Sequence, residues 1–354
     1  MTLSDPVELG VDIETFSSKD IRNGAYAYSG SSDFRILLIG YKFSDETEVK
    51  QIDLVGMKLN DHEHDRFYAA LTDPDIIKTA YNANFERTCL AKYFEDKMPP
   101  EQWRCTMILA AQIGLPMSLA SVGEAMGLPE EQQKLKTGRA LIQYFCKPCK
   151  PTRANGGRTV NRPIDAPEKW ELFKEYNRQD VVTEQEILKR LKAFRPIKQE
   201  ENLWDVDQGI NDYGVKLDTD LAHRIVEYDA VRGQELLEES ERITGLSNPN
   251  SLSQLKGWLR DMGVEQETLT KADVEDLLSD KTLDPDIRTV LENRQSLGKT
   301  SVKKYQTMLD IAGEDDRARG IMQFYGGHTG RWAGRALQPQ NLARNTMPDA
   351  ALDD

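Results

Sequence analysis

The hydrophobic pattern opens on Val7-Glu8-Leu9-Gly10-Val11-Asp12-Ile13-Glu14-Thr15, an apolar run that reads as a buried strand. Its acids Asp12 and Glu14 lie two residues apart, so they share one side of the pleat. The run 35–43 and the alternating run 48–54 follow after short turns and predict an antiparallel meander. Next come a helix over 61–71, a short strand over 76–80, and a polar strand exit over 81–86 that leads into a helix over 87–94. Residues 103–127 read as two helices broken at Gly114-Leu115-Pro116. The stretch 134–164 begins as a helix and ends as a loop rich in Pro, Gly and Asn. Asp165, as N-cap with Glu168 three residues on, predicts a helix reaching about Phe194. Arg195-Pro196 marks a boundary, after which 200–213, 221–244, 251–262, 271–278 and 286–312 read as helices. The expected class is therefore α/β, a mixed sheet flanked by helices and followed by a mostly helical region.

Composition sets the limits. A chain of 354 residues, 39% hydrophobic and 30% charged, has room for two domains and a sizeable core. No apolar run is long enough to span a bilayer, and the N-terminus lacks the features of a signal peptide. A cytoplasmic monomer without membrane contact is expected. Cys89, Cys105, Cys146 and Cys149 are too few and irregular for a disulfide framework, so reduced thiols are expected. No second pair or nearby histidine completes a zinc site at Cys146-x-x-Cys149.

The net charge of -13, from 46 Lys+Arg against 59 Asp+Glu, argues on average against a nucleic-acid partner. Its distribution argues the other way. No acid occurs between Lys134 and Ile164, where Lys134, Lys136, Arg139, Lys147, Lys150, Arg153, Arg158 and Arg162 are basic. Residues 317–348 are also free of acids and carry Arg319, Arg331, Arg335 and Arg344. Two basic islands in an acidic chain suit contact with a phosphate backbone at chosen places; the plainer alternative is a pair of solvated loops.

Four acids then stand out: Asp12, Glu14, Glu86 and Asp180, the last one helical turn beyond Tyr176. An isolated pair such as Asp12 and Glu14 reads as solvated acids at a strand end. Several carboxylates converging at a sheet edge can instead hold two divalent ions about 3.5–4 Å apart, the arrangement used for phosphodiester cleavage. Oxygen ligands suit a hard ion such as Mg²⁺.

The order D-x-E (12–14), N-x-x-F-E (82–86) and Y-x-x-x-D (176–180) resembles the DEDDy branch of the 3'-5' exonucleases, whose fold is ribonuclease H-like. The likeness covers roughly residues 7–194. It implies that Asp12, Glu14 and Asp180 ligate Mg²⁺ or Mn²⁺, with Glu86 as the fourth acid. It also implies that Asn82 contacts the terminal nucleotide and Tyr176 orients the attacking water. Thr15 and Phe16 lie beside the acids, and Phe16 is either a stacking platform for a splayed base, worth about 1–3 kcal/mol, or a core residue. The family's second motif usually ends in Asp; here the extra methylene of Glu86 is either absorbed or weakens the second metal site.

Further along, 248–255 and 290–299 resemble the thumb of family A DNA polymerases. His328-Thr329-Gly330-Arg331-Trp332 with Pro339-Gln340-Asn341-Leu342-Ala343-Arg344 resembles the segment leading into their palm. The Gly-Gly-His-Thr-Gly-Arg-Trp wording and the Cys-Lys-Pro-Cys-Lys-Pro loop are similar to phage and prophage members. The resemblance implies an exonuclease domain over 1–196, a thumb region over 197–320 and the start of a palm over 321–354. It implies contact with single-stranded 3' ends and primer-template through Lys150, Arg153, Arg158, Arg331, Arg335, Asn341 and Arg344. The palm's own metal-binding motifs do not follow Arg344. The expected activity is therefore proofreading hydrolysis to nucleoside monophosphates without extension, by a truncated chain, a fragment or the product of an interrupted gene. The alternatives are a DNA-binding module with an inactive nuclease and a ribonuclease-D-like enzyme.

Overall fold

The computed structural model describes residues 7–56, 61–135, 137–194, 197–298, 302–327 and 329–341. Its first elements are β1 (Glu8–Phe16), α1 (Ala25–Ser29), β2 (Arg35–Phe43), β3 (Lys50–Asp53), α2 (Asp61–Thr72), β4 (Ile77–Ala80), α3 (Ala83–Phe94) and β5 (Trp103–Cys105). The strands form one five-stranded sheet in the order β3-β2-β1-β4-β5. β1–β2 and β2–β3 are antiparallel, as the short turns between them require, while β4 and β5 run parallel to β1 after helical crossovers. The β1–β2 register slips between Glu14 and Thr15.

After β5 come α4 (Thr106–Gln112), α5 (Leu119–Ala125), α6 (Gly138–Phe145) and the 25-residue α7 (Pro167–Leu191). Period-two alternation along β1 sorts its side chains. Leu9, Val11 and Ile13 enter a core with Phe67, Leu71, Leu90 and Trp103. On the opposite face, Phe16 and Leu38 pack with Leu141, Phe145, Trp170, Phe173 and Tyr176 from α6 and α7. Asp12 and Glu14 alternate with the first set, so they are turned toward α7.

One glycine lets α7 come this close. Gly40 is the register partner of Asp12 on β2, and a Cβ there would stand 2.8 Å from Asn177 Oδ1 and 3.1 Å from Val181 Cγ2.

The chain continues with α8 (Lys198–Tyr213), β6 (Val215–Lys216), α9 (Thr219–Thr244), α10 (Leu252–Asp261), α11 (Lys271–Ser279), α12 (Pro285–Leu297) and α13 (Lys303–Ile311). The two-residue strands β7 (Arg317–Ala318), β8 (Met322–Gln323) and β9 (Ala333–Gly334) follow. Residues 217–310 form one compact unit, and the residues before and after them form the other. The smaller unit has its own core of Leu255, Leu259, Val274, Ile287, Val290 and Leu291. Its helices are started by Asp218, by a Thr270–Asp273 capping box and by Asp284.

The division into compact units falls at 216/217 and 310/311, beside the expected domain boundaries at 196/197 and 320/321. α8 stays with the first unit because the buried Arg87 of α3 forks onto Asp212, with NH1–Oδ2 at 2.8 Å and NH2–Oδ1 at 2.7 Å. The later segment returns to the same unit. β6 pairs with β7, Asn211 exchanges hydrogen bonds with the Met322 backbone, and Trp332 Nε1 donates to Asp207 Oδ1 at 2.7 Å.

Four local expectations also change. The second helix-strand unit enters α3 at Ala83 with Asn82 as N-cap, so Glu86 lies in the first helical turn rather than on a strand exit. Residues 103–105, read as helix, form β5; three residues are too few for alternation to show, and pairing with β4 decides the conformation. Asp165 does not cap α7: a 3₁₀ turn over Pro163–Asp165 intervenes, and Asp165 Oδ2 accepts the Arg162 backbone N–H at 2.8 Å instead. The helix expected over 286–312 is two, because α12 ends against Gly298. Arg195 and Pro196 lie outside the described residues, and no described helix is long and apolar enough to cross a membrane.

Candidate metal centre

β1 supplies Asp12 and Glu14, and α7 supplies Asp180. One oxygen from each of these three carboxylates lies within 4.8 Å of the others, the grouping of metal-ligand type found among the described residues. Glu14 and Asp180 are buried and Asp12 half-buried. Asn177, one turn before Asp180, donates from Nδ2 to Asp12 Oδ2 at 2.8 Å and to the Asp12 carbonyl at 3.1 Å. It therefore fixes the Asp12 carboxylate and holds the helix to the strand.

The electrostatics are those of crowded acids. Burial first, and then the charge of Asp180, push the Asp12 carboxyl up to about 8, against the pull of Lys134 and the Asn177 hydrogen bond. Burial and then Asp12 and Asp180 hold Glu14 well above the usual carboxylate range. Asp180 is also raised by burial, while Lys134, ion-paired to its Oδ2, pulls it down. Asp180 Oδ1 has no hydrogen-bond partner although it is buried. An orphaned buried carboxylate oxygen beside two more acids fits a divalent cation, because oxygen donors and unbalanced negative charge are what such an ion requires.

Glu86 is near but not a member of this trio. It is buried, its Oε2 also lacks a partner, and its carboxyl is held up by burial and then by the charge of Asp12. Glu184, one turn beyond Asp180, is a further buried acid that the sequence did not single out. Burial pushes it up to about 7, and Thr106 Oγ1 donates to it.

Tyr176 is 2% exposed and stacks on Phe173 with ring centroids 6.1 Å apart and planes 8° apart. Burial, and next the Asp180 charge, raise its phenol, so it faces the acids as a neutral O–H. The first residue of α6 fixes the ring, since a Cβ on Gly138 would fall 1.9 Å from Tyr176 Cε2.

The other expected contacts divide. Asn82 is exposed and makes no capping bond with its side chain, and it lines a cavity of about 180 Å³ with Phe85 and Arg335. Thr15 is buried, with its hydroxyl 2.9 Å from Tyr28 Oη. Of the two roles open to Phe16, its place is that of a core residue: it is 1% exposed and the Arg35 guanidinium covers its ring at 4.1 Å. Lys150 and Arg153 are exposed. Arg158 instead braces its own loop through the Asn155 carbonyl and Asn161 Oδ1. Arg331 and Asn341 are exposed, with Asn341 Nδ2 donating to Gln338 at 2.8 Å, and Arg344 lies outside the described residues.

Sequence reasoning missed Asn177 and Lys134 as parts of the centre. Asn177 had a signal, since it precedes Asp180 by three positions on the same helix face. Lys134 had none, because α6 and a long loop separate it from α7.

No family model matches the chain. The DNA polymerase of Bacillus phage SP02 is 48% identical over 343 residues, which are 96% of this chain and 52% of that protein. The polymerase domain of Pol1 from M. smegmatis, solved with DNA primer-template and dNTP, matches 97% of this chain and 53% of that chain with a TM-score of 0.53 and 15% identity, a likeness of fold. The chain is thus a homologue of a phage DNA polymerase along nearly all of its own length, and it spans about half the length of that relative.

Proposed function

We propose that the larger unit is the 3'-5' proofreading exonuclease of a family A, phage-type DNA polymerase, hydrolysing DNA from its 3' end to nucleoside monophosphates. The observation that carries this reading is the convergence of Asp12, Glu14 and Asp180 beside Tyr176. The strand order β3-β2-β1-β4-β5, with β2 antiparallel to its neighbours β1 and β3 and with β4 and β5 parallel to β1, supports a ribonuclease H-like fold for it.

Asp12, Glu14 and Asp180 would hold Mg²⁺ or Mn²⁺, which when bound supplies charge stabilisation for the attacking and leaving oxygens. The chain's own residues do the positioning. The 3'-terminal nucleotide is placed beside Glu14, where Thr15, Ser17, Phe85 and Cys146 line a cavity of about 290 Å³. Tyr176, kept neutral, orients a water for in-line attack on the terminal phosphorus. The new bond is P–O(water), the bond broken is P–O3', and the released 3' oxygen takes up a proton. Exposed Lys150, Arg153, Arg331 and Arg335 suit the phosphate backbone of the strand behind the terminus. The smaller unit would be the thumb and grip primer-template.

The test uses a single strand and a mismatched primer-template with Mg²⁺, beside Asp12→Ala and Tyr176→Phe. Stepwise release of mononucleotides by the wild type, abolished in Asp12→Ala and reduced about 10²-fold or more in Tyr176→Phe, is expected. Equal release by wild type and Asp12→Ala would remove the assignment. The position of Glu86 outside the trio favours one second reading, a DNA-binding module with a silent nuclease. Salt-sensitive DNA binding without any mononucleotide release would establish it.

A further inference from the structure

Among the described residues, the ammonium paired into the acid cluster is that of Lys134. Lys134 lies in the segment leading into α6; its Nζ is ion-paired to Asp180 Oδ2 and sits 4.6 Å from the centroid of the Tyr176 ring. Its charge also acts on Asp12, Glu14 and Glu86. The side chain is 27% exposed, against 4% for that of Asp180, so a partly solvated ammonium is paired to a buried carboxylate. The nearby backbone is held in place, because Gly138 is packed against the same tyrosine ring.

We infer that Lys134 is a placeholder cation: it neutralises and holds together the carboxylates of Asp12, Glu14 and Asp180 in the metal-free protein, and it must leave Asp180 when a divalent ion binds. The inference rests on the metal-site reading above. Its physical basis is that buried carboxylates repel one another as far as they are ionised, so an ammonium ion-paired to Asp180 lowers the cost of their charge, and that an ammonium and a divalent ion competing for one carboxylate oxygen repel each other. Lys134 is thus a positioning residue with two opposed effects. It stabilises the metal-free fold and weakens metal affinity.

Binding of Mn²⁺ without DNA, followed by calorimetry, separates these effects, together with melting in a chelator. Lys134→Gln is expected to bind Mn²⁺ about five- to tenfold more tightly than wild type, as removal of a competing ion pair allows, and to melt lower in chelator. Lys134→Arg keeps both properties close to wild type. An independent measurement needs no variant: in the wild type, acetylation of Lys134 read by mass spectrometry is slow in chelator and speeds up several-fold at saturating Mn²⁺. Unchanged or weaker Mn²⁺ binding by folded Lys134→Gln, or Lys134 acetylation indifferent to Mn²⁺, overturns the placeholder alone. If wild type binds no Mn²⁺ that Asp180→Asn loses, the metal-site reading falls and the placeholder with it.

Discussion

At the scale of single residues, the centre is a balance between repulsion and restraint. Burial, and then the charge of Asp180, push Asp12 up to about 8, far above its ordinary value near 3.8. A carboxyl raised in the folded state binds its proton more tightly there than in the unfolded chain. Its favourable contribution is therefore present at low pH and is lost as pH rises from the unfolded value through about 8. Melting in chelator should fall between pH 5 and pH 8 more steeply for wild type than for Asp12→Asn, and Mn²⁺ should flatten the wild-type slope. Parallel curves would show that Asp12 is not under strain. Asn177 carries the opposite role. Asn177→Ala removes the only side-chain donor seen on Asp12 among the described residues, and should weaken Mn²⁺ binding about 10–100-fold while leaving the fold in place. Asp12, Glu14, Tyr176 and Asp180 were legible in the sequence because each belongs to a short motif with fixed spacing. Lys134 was not, since its partner lies 46 positions away and no pattern links them.

At the scale of elements, the site depends on how closely α7 approaches the sheet. Gly40 has no side chain because Asn177 and Val181 fill the space where one would be. Gly40→Ala should cost about 1–3 kcal/mol through overpacking and should weaken metal binding by moving α7 off β1, both readable by melting and calorimetry. Arg87 serves α3 and α8 in the same way. Asp212→Ala leaves a buried guanidinium without its carboxylate and should cost about 3 kcal/mol of stability in denaturant melts. The strands β1 and β2 were legible from their unbroken apolar runs. β5 and the start of α3 were not, because pairing with β4 fixes the one and the polar Asn82 to Glu86 segment hides the other.

At the scale of the whole molecule, the chain leaves its first unit and comes back. Lys216 and Arg317 are register partners in β6 and β7, so the ends of the inserted unit, 217–310, are neighbours in space. Under the function proposed above, replacing 217–310 by a short Gly/Ser linker should leave a folded, metal-binding unit that trims single strands and binds primer-template less tightly than the full chain. Loss of folding would show that the unit is not self-standing. The return of 311–341 to the first unit was not legible, since nothing local in that segment names Asp207 and Asn211 as its partners.

All three scales meet at Asp12, Glu14 and Asp180, and anomalous scattering from a crystal soaked in Mn²⁺ tests them most directly. The expected result is an anomalous peak bounded by those three carboxylates, with the Lys134 ammonium withdrawn from Asp180. Saturating Mn²⁺ with no peak there, and Lys134 still paired to Asp180, would contradict it.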